Sequence, residues 1–352
     1  MMGQERIDAL FSYRKPDRVP IFGDDAFSMI NCGYTLNDLQ NDARKAYDAV
    51  HWTCEQYGWE PYGMLLGHTV LGSWDFGARM KMPDSVYAAA ISADAAAVET
   101  EEEVWELELP DPRSAGAIPK RMEYYRLREE AGLPIVFCAR SPFAMAADIC
   151  GIGRFARWLI RKPELCEKLM QMAVDHTFNV MAYCVDTFGA EKIVAYMSSP
   201  TEANQLFSPR LVEKYALPRH RQYHERLRKL GVGRFYFHIC GEQNANLPFL
   251  SEFAASADAW PHPSILSFGH EVALEDAARY FPEDIIAGNV DPAAFQSGPP
   301  QRVYDLCKMC IERGKKIPGG FILTPGCALP PRAPAYNVWM MTKAVCDCGR
   351  YD

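Results

Sequence analysis

The chain has 352 residues, 49% of them hydrophobic, enough for one large core or two smaller ones. Its 37 Lys and Arg against 45 Asp and Glu give a net charge of −8, which excludes a dedicated nucleic-acid surface because phosphate binding needs clustered positive charge. No run approaches the ~18 consecutive apolar residues that cross a bilayer, and the charged start MMGQERIDALFSYRKPDR lacks the apolar centre of a secretory signal. The twelve cysteines are scattered and read as small buried hydrophobes in a reducing compartment, not as a disulfide framework. The expectation is a soluble cytoplasmic protein with no nucleic-acid or membrane partner; the sequence leaves the oligomeric state open.

In chain order, short apolar runs recur between longer helical stretches. They are Val19–Gly23, Tyr62–Gly67, Pro134–Ala139, Lys192–Met197, Arg234–Cys240, Ser264–Gly269, Asp284–Gly288 and Gly320–Thr324. Strands alternating with helices indicate parallel βα units. Eight such units predict an α/β chain folded as a single (β/α)8 TIM barrel spanning residues 1–352. A barrel of this kind needs about 250 residues, so roughly 100 are surplus. Much of the surplus lies in residues 68–133, read as a cap inserted after the second strand. A helix opens at Ser208-Pro209, where proline suits the first helical position, and Pro218 should kink it. Its basic stretch Arg219–Lys229 reads as a solvated face. Another helix runs through Pro300–Arg313 and stops at Gly314.

The segment Arg234-Phe-Tyr-Phe-His-Ile-Cys-Gly241 is the most informative. Side chains alternate across a strand, so Phe235, Phe237 and Ile239 share the face that packs on helices. Tyr236, His238 and Cys240 then point into the barrel, with His238 and Cys240 at its C-terminal mouth. An imidazole and a thiolate two positions apart form half of a zinc site. In Gly319-Gly-Phe-Ile-Leu-Thr-Pro-Gly-Cys327, Pro325 and Gly326 end the last strand and leave Cys327 on a loop at the same mouth. Three ligands with an open fourth position describe a catalytic zinc; by spacing alone, a buried histidine and two unrelated core cysteines are the alternative.

The combination HICG with a late GGFILTPGC resembles the uroporphyrinogen decarboxylase superfamily, and within it the zinc-containing corrinoid methyltransferase branch. Lys15-Pro-Asp-Arg-Val-Pro20, Ser208-Pro209 and Gly288-Asn-Val-Asp-Pro292 carry the same resemblance. It implies His238, Cys240 and Cys327 as zinc ligands and cobalt supplied on a separate small corrinoid protein. It also implies a small methylated substrate: methyl passes from a donor such as an aryl methyl ether to that cobalt, or from methylcorrinoid to a thiol such as coenzyme M. Decarboxylation is disfavoured, because Phe22-Gly-Asp-Asp-Ala26 is acidic where an eight-carboxylate substrate needs arginine.

Further candidates surround the mouth. Gly269-His270-Glu271 closes the sixth strand, with His270 assigned to the metal as a fourth ligand and Glu271 to catalysis; hydrogen-bonded support of the ligands is the alternative. Asp24 and Asp25 follow the first strand, where a general acid or cation-binding carboxylate is useful, a solvated loop pair being the plainer reading. Tyr236, Asn244 and Asn246 are placed on the substrate, with helix capping an alternative for the asparagines. Cys307-x-x-Cys310 reads as helix packing.

Overall fold

A computed structural model describes residues 1, 3–62, 72–82, 90–91, 96–256 and 260–351. A short antiparallel pair, β1 (Met80–Lys81) and β2 (Ala90–Ile91), precedes six parallel strands. These are β3 (Ile135–Arg140), β4 (Ile193–Ser198), β5 (Arg234–Ile239), β6 (Ile265–Phe268), β7 (Ile285–Val290) and β8 (Phe321–Pro325), hydrogen-bonded in sequence order with helices between them. The segment around Ile21 joins the sheet parallel to β8, through Phe22 N to Leu323 O at 3.0 Å and Leu323 N to Pro20 O at 2.9 Å. Beyond it, Glu60 N donates to Ile21 O, and the Arg128 guanidinium bonds the carbonyls of Pro61 and Pro134. Seven of the eight predicted barrel positions are thus seen in the expected parallel order; of the predicted run Tyr62–Gly67, all but Tyr62 lies outside the described residues.

Alternation divides the core into two shells. Val136, Cys138, Val194, Tyr196, Tyr236, Ile265, Ile285, Ala287 and Ile322 fill the lumen together with Phe22 and Tyr62. Tyr196 meets Tyr236 edge-on at 4.9 Å and Phe22 stacks on Tyr62 at 5.1 Å, contacts that add about 0.5–1.5 kcal/mol each beyond area burial. Residues of opposite parity, such as Ile135, Phe137, Phe235, Phe237 and Ile239, pack outward on the helices. Ile7 and Leu10 of the helix Gly3–Phe11 close the lumen from below. The motif Lys15–Pro20 anchors that end: Asp17 binds Arg6 at 2.7 Å, and Arg18 binds the buried Glu60 at 3.0 Å.

Within residues 68–133, the helix Ile118–Glu130 lies on the barrel wall, burying Met122, Tyr124 and Tyr125 and bonding Arg121 to the Cys138 carbonyl. The kink expected at Pro218 takes the form of a π-turn, Val212–Ala216, ahead of the helix Leu217–Lys229. Proline has no N–H to continue the α-pattern, and the wider turn absorbs that defect. Gly314 differs from expectation. It is the last residue of the helix Pro300–Gly314 and does not adopt a left-handed cap. Glycine is needed there because a Cβ would run into the ring of Phe321. Cys307 and Cys310 are buried in that helix, as packing requires.

Candidate metal centre

Parity sets the upper lumen layer. Register pairs Arg140 with Ser198, Ser198 with His238 and His238 with Ser267, so four polar side chains from consecutive strands form a row at the C-terminal end. Cys240 follows β5 directly, and Cys327 follows β8 on a turn fixed by Gly326 N donating to Val290 O at 2.8 Å. Glycines allow the loops to converge. Gly241 adopts φ +74°, and a Cβ at Gly326 would lie 2.7 Å from the His270 backbone nitrogen.

His238, Cys240 and Cys327 offer ligand atoms that all lie within 4.8 Å of one another. The two sulfurs are 3.6 Å apart, too far for a disulfide. A tetrahedral ion with ~2.3 Å bonds to sulfur sets its two sulfurs about 3.8 Å apart, so the donor set fits a zinc-like ion. His238 Nδ1 lies 3.1 Å from Ser267 Oγ, which leaves Nε2 for a metal. Ser267 is buried and also bonds the Tyr236 hydroxyl, so the imidazole is oriented from beneath. The cysteine pair is electrostatically split. Hydrogen bonding from Cys240 and His238 pushes the Cys327 thiol well below its usual range. The same bond to Cys327, with burial, pushes Cys240 up. One thiolate forms readily there, and a bound cation is what would favour the second.

Other sequence-assigned residues fall around this group. His270 is half-exposed, with Nδ1 3.5 Å from Glu271 Oε2, and neither residue contributes to the cluster of three. Glu271 nevertheless lies close enough for its charge to act on Cys240. Asn244 bonds Glu242 and the Glu271 carbonyl, tying the β5 and β6 loops together. Asn246 stands at the start of the helix Leu247–Ala255 without a side-chain cap; its amide holds the Glu202 carbonyl instead. Tyr236 is buried in the lumen one layer below His238. Asp24 and Asp25 are buried, not solvated. Asp24 caps the helix Asp25–Asn31, and its carboxyl is pushed up by burial and by the neighbouring Asp25. Ser267 and Arg140 were not among the sequence candidates.

The uroporphyrinogen decarboxylase (URO-D) profile matches residues 2–347. The chain belongs to the uroporphyrinogen decarboxylase family. Among curated relatives, it is 28% identical over 213 residues to a methylcobamide:CoM methyltransferase, MtbA, of Methanosarcina acetivorans. That match covers 60% of this chain and 57% of the relative. A methylated-thiol–coenzyme M methyltransferase of Methanosarcina mazei is 25% identical, covering 62% of this chain and 56% of its own length. The chain thus spans under two thirds of these relatives. The solved structure of a methyltransferase from Methanosarcina mazei superposes with TM-score 0.81, covering 99% of both chains at 20% identity, a likeness of fold. Among the described residues no helix is long and apolar enough to cross a membrane.

Ser267→Ala is expected to weaken metal binding about 10- to 100-fold, the range for losing a partner that orients a ligand. Competition titration with a chromophoric chelator measures it; unchanged affinity would show that Ser267 does not support His238.

Proposed function

We propose that this protein is a zinc-dependent methyltransferase that moves a methyl group between a corrinoid on a partner protein and a small thiol. The observation that carries the reading is the gathering of His238, Cys240 and Cys327 at the lumen mouth, three ligands where a tetrahedral ion takes four. Bound there, zinc supplies Lewis acidity that holds a thiol as its thiolate near neutral pH. The protein's residues do the rest. Ser267 fixes the imidazole, Gln243 holds the Cys240 carbonyl at 2.9 Å, and the Tyr196–Tyr236 floor keeps water out from below. An in-line transfer needs sulfur, methyl and cobalt on one axis with reacting atoms about 3–3.5 Å apart. The corrinoid must therefore meet the barrel mouth, and the proposed cap, residues 68–133 apart from the wall helix Ile118–Glu130, must leave that mouth open or move aside.

One observation favours thiol chemistry within the family. The relatives above carry names that specify methyl transfer to coenzyme M, whereas an aryl methyl ether donor rests on the sequence reading alone.

The test incubates zinc-loaded protein with methylcob(III)alamin and a panel of thiols, and separately with cob(I)alamin and methylated thiols or aryl methyl ethers. The visible spectrum should convert between the two cobalamins only with thiol partners. No spectral change with any partner, together with carbon dioxide release from uroporphyrinogen, would replace this reading by decarboxylation.

A further inference from the structure

Arg140 ends β3 on the lumen side, two residues beyond Cys138 and four beyond Val136, both of which line the lumen. It shares the upper layer with His238, two strands away through Ser198. On the upper lumen layer of the six strands β3–β8 it is the only lysine or arginine. Its Nε is held by Asp148 at 2.9 Å, from the helix Pro142–Cys150 that follows. Among the described residues Asp148 takes one of five guanidinium donors, and the terminal Nη1 and Nη2 edge remains to pair with an anion. The side chain is about a quarter exposed, so the site is reachable yet partly desolvated.

Neighbouring strands lie ~4.8 Å apart, which sets the His238 and Arg140 backbones roughly 10 Å apart across the mouth. Both side chains reach inward over that gap. A molecule held at the metal centre by one end and at Arg140 by the other is therefore short.

Resting on the reading that a small thiol binds the metal centre, we propose that Arg140 is the specificity residue that clamps a carboxylate or sulfonate at the far end of that thiol. Asp148 is then the positioning residue that presents its free edge. The reaction itself gains nothing from Arg140 beyond orientation, so its contribution appears in binding.

Calorimetric titration of zinc-loaded protein with 3-mercaptopropionate and with 2-mercaptoethanol, which differ in the charged end, tests this without methyl transfer. Wild type should bind the anionic thiol about 10- to 100-fold more tightly, the range for a charge-assisted bidentate pair. Arg140→Met should erase that preference while leaving the neutral thiol within about twofold, and Arg140→Lys should keep part of it. Equal binding of both thiols by wild type, or an equal loss for both in Arg140→Met, would overturn the assignment. Retained discrimination without any methyl transfer would refute the methyltransferase reading and leave Arg140's role standing.

Discussion

Replacing His238 and Cys240 together by alanine is expected to reduce zinc from about one equivalent per chain to background. Both are only partly buried, and the strand that carries His238 is held by Phe235, Phe237 and Ile239 on its other face. The fold should therefore survive, because the lost side chains belong to the mouth and not to the packed shell. Loss of two of three ligands leaves a single thiolate, too little for a tetrahedral ion against water. Elemental analysis after gel filtration measures the content, with circular dichroism confirming the fold. Full occupancy in the folded double variant would mean that zinc sits elsewhere.

Cys327→Ser is expected to lower the rate of methyl transfer by 10²–10³-fold or more, on the order seen when a stabiliser of developing charge is removed. Serine preserves the shape of the loop but its hydroxyl does not ionise, so the donor that hydrogen bonding from Cys240 and His238 makes most acidic is lost. Cys327 is exposed on the turn after β8 and packs against no core residue cluster. Thermal stability in the absence of metal should stay near that of wild type. Global unfolding of Cys327→Ser would identify the cysteine as structural, and unchanged methyl transfer would remove it from the site.

The alternation in Arg234–Ile239 was sufficient to place His238 in the lumen and the phenylalanines outside it, because a period of two admits only that division. Cys327 followed from the strand-ending Pro325 and Gly326. What escaped lies at the C-terminal ends of strands. An apolar run defines a strand by its packed part, so the third run stops at Ala139 while β3 continues to Arg140. Likewise β7 runs on through Asn289 and Val290. In a barrel those last positions carry the polar side chains of the mouth, so apolar patterning fades where function is concentrated. Ser267 lay inside a predicted strand, but its partnership with His238 depends on cross-strand register, which no local pattern encodes. The burial of Asp24 and Asp25 depends on packing by distant residues. His270 follows β6 with its backbone close to Gly326, but its side chain lies beside Glu271, outside the three-residue cluster.

The most direct test of metal-dependent methyl transfer is a removal-and-return measurement. Protein stripped with a strong chelator, then dialysed, is mixed with methylcob(III)alamin and a thiol, and the visible spectrum is followed before and after zinc is restored. The stripped protein should transfer no methyl above the uncatalysed rate, and one equivalent of zinc, about the amount three ligands at one site hold, should restore it in full. Transfer by the stripped protein at the same rate as the zinc-restored one would contradict the account.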